Sequence, residues 1–298
     1  MIRSFVRVFA LLLASGSAVF AAEPAATNFY QGKTIQVVVG FGPGGSFDLM
    51  ARVLARYMAR HIPGTPTMVV QNMPGAGSLA ATQYIYSRPA DGLFVGALHG
   101  AVINGQVTGA IQGQFDPQKL IWLGQIGSGS VPRLFLVRPE IATNLEELLA
   151  AQKKRMIYIG TAGQGSTYHE FSKYLEIAGL NVGIIAYKGG REIWTSLERG
   201  EVDAVSDTFD TVGTIYKNYL DRKVAVPIFW QGEVPEEAAE SATFKNIPPF
   251  EQVAAKLNTG EEKLELYRYL INVYSLERIY ALPPNTAAEK VEIGRAHV

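Results

Sequence analysis

Two glycine-rich turns are the parts of this sequence best suited to hold a ligand. One is Gly40-Phe41-Gly42-Pro43-Gly44-Gly45, and the other is Thr161-Ala162-Gly163-Gln164-Gly165-Ser166-Thr167. Each turn follows an apolar strand pattern and precedes a helical one, so it exposes unpaired backbone N–H groups at the positive end of a helix dipole. A single exposed dipole contributes only about 0.3–1 kcal/mol. The two turns therefore predict a site where several amides converge on one small anion.

The first turn also satisfies G-x-G-x-x-G, the fingerprint of dinucleotide-binding folds. That fingerprint requires an acidic residue at the end of the second strand, where it binds the ribose hydroxyls. Here the second strand pattern ends in Gln71-Asn72, and no Asp or Glu lies between Asp48 and Asp91. A dinucleotide-dependent oxidoreductase using Gly40 to Gly45 is therefore an alternative that ranks below anion binding.

Three further side chains are candidates for the same site. Asp48 follows the first turn, where its carboxylate would repel an anion, so capping the helix is a second possible role. Asp207 lies just beyond a strand pattern and could contact a ligand amine or be a solvated loop charge. Tyr187 could donate its hydroxyl to the ligand or pack against its neighbours. The sequence leaves each of these alternatives open.

Strand and helix patterns alternate along the chain, which predicts an α/β protein with mostly parallel sheets. Thr34 to Val39 is a β-branched run typical of a buried parallel strand. The next segment predicts an amphipathic helix whose sheet-facing stripe is Met50, Val53, Leu54, Tyr57, Met58 and Ile62. Similar units follow to about residue 229.

The length predicts two domains, because one hydrophobic core usually divides once a chain reaches about 250–300 residues. We expect domain 1 to comprise residues 27–133 and 229–291, and domain 2 to comprise residues 134–228. The chain would then cross between the domains twice, near Leu134 to Arg138 and near Val224 to Phe229. Two crossings act as a hinge.

The two ends of the chain are expected not to belong to the mature native protein. Arg3 and Arg7 precede an apolar run from Val8 to Ala14 and small residues up to Ala22. This layout is typical of a cleaved secretory signal peptide, so we expect residues 1–22 to be removed on export. Residues 292–298 (EIGRAHV) lack helical periodicity and match a translated sequencing adapter, so we expect a non-native tail after a chain truncated near residue 291.

The composition argues against several functional classes. Cysteine is absent and the 4 histidines show no paired metal spacing, which predicts neither a zinc site nor a thiol nucleophile. No G-x-S-x-G nucleophile elbow occurs. The 27 basic and 27 acidic residues balance, which disfavours nucleic acid as a partner. We therefore expect a monomeric binding protein rather than an enzyme, with no cofactor and no metal.

Motifs in five places, in order along the chain, resemble the substrate-binding proteins of tripartite tricarboxylate transporters, the Bug family. They are Pro43-Gly44-Gly45-Ser46-Phe47-Asp48, Val70-Gln71-Asn72-Met73-Pro74-Gly75-Ala76-Gly77, Ala90-Asp91-Gly92, Gly160 to His169, and Ala186-Tyr187-Lys188-Gly189-Gly190 followed by Arg199-Gly200-Glu201-Val202-Asp203. The resemblance covers about Tyr30 to Val205. Ala186 departs from the proline common in the family, Gln71 departs from an acidic residue, and the C-terminal third matches weakly.

The resemblance implies a periplasmic receptor of the Venus-flytrap type, which binds a small carboxylate and delivers it to membrane permease subunits. On the family pattern, the loops at residues 44–48, 75–77 and 161–167 line the pocket. With the residues discussed above, the predicted ligand-binding set is Phe41, Pro43, Gly44, Gly45, Ser46, Asp48, Gly75, Ala76, Gly77, Thr161, Ala162, Gly163, Gly165, Ser166, Thr167, Tyr187 and Asp207.

Overall fold

The strands of this protein form two five-stranded sheets with helices packed against them. The computed structural model describes residues 29–107, 109, 115–126, 132–164, 166–241, 243–273, 276 and 278–295. The expected signal peptide and the last three residues of the chain lie outside these ranges. The α/β class predicted from the sequence is confirmed.

The first sheet has the strand order β2-β1-β3-β10-β4. Its strands are β1 (Thr34–Val39), β2 (Thr67–Asn72), β3 (Phe94–His99), β4 (Ile121–Gln125) and β10 (Arg278–Leu282). The helices in this part of the chain are α1 (Ser46–Met58), α2 (Leu79–Tyr86), α3 (Ala101–Val107) and α12 (Ala288–Arg295).

The second sheet has the equivalent order β7-β6-β8-β5-β9. Its strands are β5 (Arg133–Val137), β6 (Ile157–Thr161), β7 (Val182–Ala186), β8 (Ala204–Thr208) and β9 (Val226–Gln231). The intervening and following helices are α4 (Leu145–Ala151), α5 (Thr167–Ala178), α6 (Gly190–Arg199), α7 (Phe209–Thr214), α8 (Lys217–Asp221), α9 (Glu236–Glu240), α10 (Phe250–Leu257) and α11 (Glu261–Val273).

Both sheets are mixed but mostly parallel, as predicted: in each, four strands run in one direction and a single strand runs against them. In each sheet the second strand in the order pairs parallel with both neighbours, whereas the fourth pairs antiparallel with both. The fourth strand is β10 in the first sheet and β5 in the second. Each is the first strand after the chain has crossed from the other sheet. It starts at the edge where the parallel strands end, and therefore runs against them.

The second crossing was predicted at the wrong place. The segment Val226–Gln231 is β9, which pairs with β5 at the edge of the second sheet. Helix α10 packs against β9, and α11 packs against α5. The described residues from 229 to 273 therefore accompany the second sheet rather than the first, and the chain is back at the first sheet by Leu276, whose carbonyl oxygen accepts from the Gly100 amide at 3.0 Å. The first crossing lies between Gln125 and Arg133, slightly before its predicted position.

Helix α1 buries a narrower stripe than its sequence predicts. Its core face includes Ala51, Leu54 and Met58. Val53 and Tyr57, which were expected to face the sheet, are 52% and 54% exposed. Helix α1 packs on β1 and on the edge strand β2, so apolar side chains that project beyond this edge stay largely exposed.

The expected foreign tail is partly helical. Residues 292–295 continue α12, although their sequence shows no helical periodicity. Gly294 fits closely against the first sheet, because an added Cβ atom would lie 2.7 Å from Leu123 Cδ2. Residues 296–298 lie outside the described chain, and the non-native origin of the tail stays a prediction.

Substitution of Gly160 tests how closely α6 packs on β6. A Cβ atom at Gly160 would lie 2.8 Å from Ile193 Cγ2, whereas one at Gly213 on α7 would meet no described atom within 4 Å. We expect Gly160→Ala to lower the free energy of unfolding by about 1–3 kcal/mol through overpacking. Gly213→Ala is the matched control and is expected to raise it by up to ~1 kcal/mol. Urea denaturation measures both, and equal effects would contradict the close packing.

Candidate functional site

The two sheets meet through glycine-rich backbone. Gly42 donates its backbone N–H to the carbonyl oxygen of Lys188 at 3.0 Å. A Cβ atom at Gly189 would lie only 3.1 Å from the Gly42 nitrogen. The turn after β1 and the turn after β7 therefore touch with no side chain between them, and the N-terminal ends of α1 and α6 come together.

Gly44 lies at this contact but does not offer its amide to a ligand. Its φ of +81° is in the left-handed region, and an added Cβ atom would lie 2.8 Å from Arg191 Cδ. Its backbone N–H donates to the carboxylate of Asp48 at 2.9 Å. Gly44 was predicted to bind ligand, but in this structure its donor is already used.

The second glycine turn faces a different loop of the first sheet. Gly163 has a φ of +87°, and an added Cβ atom would lie 3.7 Å from the backbone nitrogen of Gly77. Gly77 and its neighbour Gly75 also have positive φ angles, +59° and +158°. The two predicted glycine turns thus each contact the opposite sheet, the first through the β7–α6 loop and the second through residues 75–77.

A cavity of about 400 Å³ lies between these two contacts. The first sheet contributes the loop after β1 and the loop after β2, and the second contributes the loops after β6 and β7. Its lining includes five of the predicted residues, Gly75, Ala76, Ala162, Gly163 and Tyr187, together with Gly40, Pro74, Ala186, Lys188 and Glu192. The cavity therefore lies at the carboxyl ends of parallel strands, where open α/β sheets bind ligands.

A second cavity, of about 550 Å³, lies on the other side of the same contact. Most of its lining comes from α6 and its flanking residues, and the first sheet contributes only Gly42 and Pro43. A guest there would touch one sheet far more than the other. The smaller cavity is therefore the better candidate for a ligand that holds both sheets.

Asp48 is buried and serves the turn before it. The N-cap of α1 is Gly45, which has no side chain to cap the helix. Asp48, in the first turn of α1, instead accepts from the backbone amide of Gly44. The Asp48 carboxylate accepts hydrogen bonds from the Gly44 amide, from Arg52 and from Asn72. Burial alone would raise the pKa of Asp48, but these hydrogen bonds and the Arg52 charge together hold it below its ordinary value.

The start of α5 is fixed by its own hydroxyls. Ser166 is the N-cap, and its Oγ accepts from the His169 amide at 3.2 Å and donates to the Gly163 carbonyl at 2.7 Å. Thr167 is buried, and its Oγ1 lies 3.1 Å from His99 Nε2 of the first sheet. Gly165 lies outside the described residues. These contacts hold the second turn at the boundary between the sheets.

Asp207 is fully buried on β8, so the solvated-loop alternative was wrong. Its carboxylate accepts hydrogen bonds from the Tyr168 hydroxyl, from Trp194 Nε1 and from the Thr208 amide, each within 2.9 Å. Burial raises the pKa of Asp207 despite these donors and the nearby charge of Arg133. Asp207 therefore has a structural set of partners, and contact with a ligand amine stays a prediction.

His99 and Arg133 are polar residues at the boundary that the sequence analysis missed. The amide of Ala101 donates to His99 Nδ1 at 2.9 Å. Burial, followed by the charges of Arg133 and Arg278, lowers the pKa of His99 to about 3. The ring is therefore neutral and donates from Nε2 to Thr167. The one sequence feature that could have indicated these residues is that a charged residue, Arg133, begins the otherwise apolar strand β5.

The remaining predicted residues divide between core and surface. Phe41 is buried and lies 4.4 Å from Phe47, ring centroid to centroid. Ser46 is buried at the start of α1, and Pro43 is exposed beside the larger cavity. Thr161 is fully buried, and its Oγ1 has no hydrogen-bond partner in the described chain. Thr161 is followed in the sequence by Ala162 and Gly163, which line the smaller cavity.

The described residues were also searched for metal ligands and membrane spans. They contain no group of three or more His, Asp or Glu side chains placed to hold a metal ion. None of the helices in the described ranges is long and apolar enough to cross a bilayer.

Comparison with known proteins gives consistent matches. The model of the tripartite tricarboxylate transporter family receptor matches residues 50–223. BugT of Bordetella pertussis is 29% identical over 194 residues, which cover 61% of this chain and 57% of that protein. The chain thus spans about three fifths of the length of such curated relatives.

Solved structures share the fold. The periplasmic binding protein BugD aligns with a TM-score of 0.69 at 20% identity, covering 89% of this chain and 81% of that chain. MatC from Rhodopseudomonas palustris, with bound malate, aligns with a TM-score of 0.69 at 17% identity, covering 89% and 83%. The predicted two-lobed periplasmic-binding-protein architecture is confirmed. With more than half of its length matched by the family model, this chain belongs to the tripartite tricarboxylate transporter receptor family, as its motifs predicted.

Proposed function

We propose that this protein is a periplasmic solute-binding protein that holds a small carboxylate between its two sheets and delivers it to membrane permease subunits. The observation that supports this most directly is the cavity of about 400 Å³ bounded by loops of both sheets. A guest in that cavity would contact both halves at once and would stabilise their closed arrangement.

The cavity walls suit a small acid. They consist largely of backbone at strand ends, and Lys188 is the one cation among the described lining residues. The neighbouring acid, Glu192, accepts a hydrogen bond from the Lys188 amide at 3.0 Å. The buried Thr161 hydroxyl, which has no partner in the described chain, could be satisfied by a polar guest or a bound water. These groups can orient a carboxylate.

Binding without chemistry fits the lining better than catalysis does. A general base must lie within hydrogen-bond reach of the group it activates. The titratable side chains of the described lining are Tyr187, Lys188 and Glu192, and no hydrogen bond joins these side chains to one another. The arrangement therefore offers groups that orient a ligand rather than a nucleophile with its base.

The dinucleotide alternative loses support at two points. Asn72 stands at the end of β2, where an acid would bind the ribose, and its amide is already bonded to Asp48 and to the Phe41 carbonyl. The Gly44 amide, one of the donors that a pyrophosphate would need, is bonded to a carboxylate.

A thermal-shift screen tests the ligand class. We expect at least one mono-, di- or tricarboxylate, with malate among those tried, to raise the unfolding temperature of the chain lacking residues 1–22. A ligand at 100 times its dissociation constant adds about 2.7 kcal/mol to the free energy of unfolding. Amino acids and NAD(H) are the comparison sets. A shift with NAD(H) alone would reverse the assignment to a receptor.

Ala76 allows a test of charge in the cavity. It is exposed, it lines the cavity, and it already has a positive φ of +44°, so two longer side chains there would carry equal backbone strain. We expect Ala76→Glu to weaken binding of an organic acid by about tenfold more than Ala76→Gln, because only the former adds a like charge. Titration calorimetry at low and high salt measures the difference. Equal losses in the two variants would contradict an anionic guest near residue 76.

A further inference from the structure

We propose that Asp48 is a positioning residue that shapes the β1–α1 turn, and that Arg52 cancels the charge of Asp48 so that an anion can still bind nearby. This inference rests on the proposed function and assigns roles in the same site. It also changes the role of Asp48, which the sequence placed among the groups that touch ligand.

The carboxylate of Asp48 is saturated with donors. Its Oδ2 accepts from the Gly44 amide at 2.9 Å and from Arg52 Nε at 3.0 Å. Its Oδ1 accepts from Asn72 Nδ2 at 2.9 Å and lies 2.9 Å from a terminal nitrogen of Arg52. The side chain of Asp48 is only 3% exposed. A buried carboxylate with this many hydrogen bonds holds its neighbours in place and is not free to contact a ligand.

These contacts hold both ends of the glycine turn. Asn72 Nδ2 also donates to the carbonyl oxygen of Phe41 at 2.9 Å, so the same amide ties the start of the turn to Asp48, which holds Gly44 near the end. Between these two points lies Gly42, whose amide reaches Lys188 of the other sheet. A glycine-rich turn has few side chains to fix its shape. Asp48 and Asn72 supply that restraint from outside.

The restraint would have an electrostatic cost without Arg52. A lone carboxylate in the first turn of α1 would repel an anion approaching the same helix end. Arg52 pairs with both oxygens of Asp48, a geometry that strengthens the pair and neutralises it. No acidic residue occurs between Asp48 and Asp91, so the rest of α1 adds only the charge of Arg56, and Arg60 follows just beyond its end. The helix end is thus left favourable to an anion.

Asp48→Asn tests the positioning role. Without ligand, we expect hydrogen exchange of the Gly44 amide, followed by NMR, to accelerate by about tenfold or more, since a charge-assisted bond is lost. Malate is the ligand probe, and its dissociation is expected to be about tenfold faster, with an effect that salt does not remove. If Asp48→Asn fails to fold, Asn72→Ala is the second variant. It removes one of the same hydrogen bonds, and it is expected to accelerate Gly44 amide exchange and malate dissociation by smaller factors.

Arg52→Gln tests the charge role separately. It keeps Asp48 in place, so the Gly44 amide is expected to stay protected, while malate associates about tenfold more slowly at low ionic strength and nearly normally at high salt. Arg52→Lys keeps the charge and is expected to restore association. Arg56→Gln, one turn further along α1, is the matched control and is expected to slow association by less than Arg52→Gln.

Three outcomes would overturn the proposal. They are an unchanged Gly44 amide in Asp48→Asn, tighter malate binding by that variant, and equal effects of Arg52→Gln and Arg56→Gln. Tighter binding would mean that Asp48 only repels the ligand. Failure of the wild-type protein to bind malate would count against malate as its ligand and not against the Asp48 contact, because exchange of the Gly44 amide reports that contact without any ligand. The kinetic measurements would then use the organic acid that stabilises the protein most.

Discussion

Backbone contact between the turn after β1 and the turn after β7 is the constraint on which the rest of this structure depends. The hydrogen bond from Gly42 to Lys188 requires close approach, which glycine at residue 189 permits and a Cβ atom there, 3.1 Å from the Gly42 nitrogen, would crowd. The contact also brings the positive ends of α1 and α6 together. Helix ends of like sign repel each other modestly, and an anion bound beside them would offset that repulsion. If the protein binds an acid as proposed, closure of the two lobes and affinity for that acid would thereby be coupled.

Local sequence patterns predicted most elements of the fold but not how the sheets are assembled. Strand β1 was predicted with its observed bounds, because a β-branched run there ends at a glycine. Strand β10 was missed, and β9 was taken as a return crossing. Sheet membership depends on pairing partners far apart in sequence, such as Arg133 with Gln231. A local run of apolar residues does not indicate which of the two sheets the strand will join.

The candidate site was predicted in part for the same reason. Glycine-rich turns between strand and helix patterns have a local signature, so the loops that line the cavity could be named in advance. Their partners could not, since Gly163 meets Gly77 and Gly44 meets Arg191 only once both sheets are formed. The role of Asp48 was equally hidden, because it depends on Asn72 arriving from the end of β2. From the sequence alone, a polar residue that contacts an anion cannot be distinguished from one that only holds the backbone of the site in place.

In the proposed function, one small carboxylate lies between the two lobes and touches both. A crystal structure of the protein grown with saturating malate, or with the organic acid that stabilises it most, tests this directly. We predict ligand density in the cavity between Ala76 of the first sheet and Gly163 of the second, within contact of both loops. Density bound only to one lobe, or an empty cavity at saturating ligand, would contradict it.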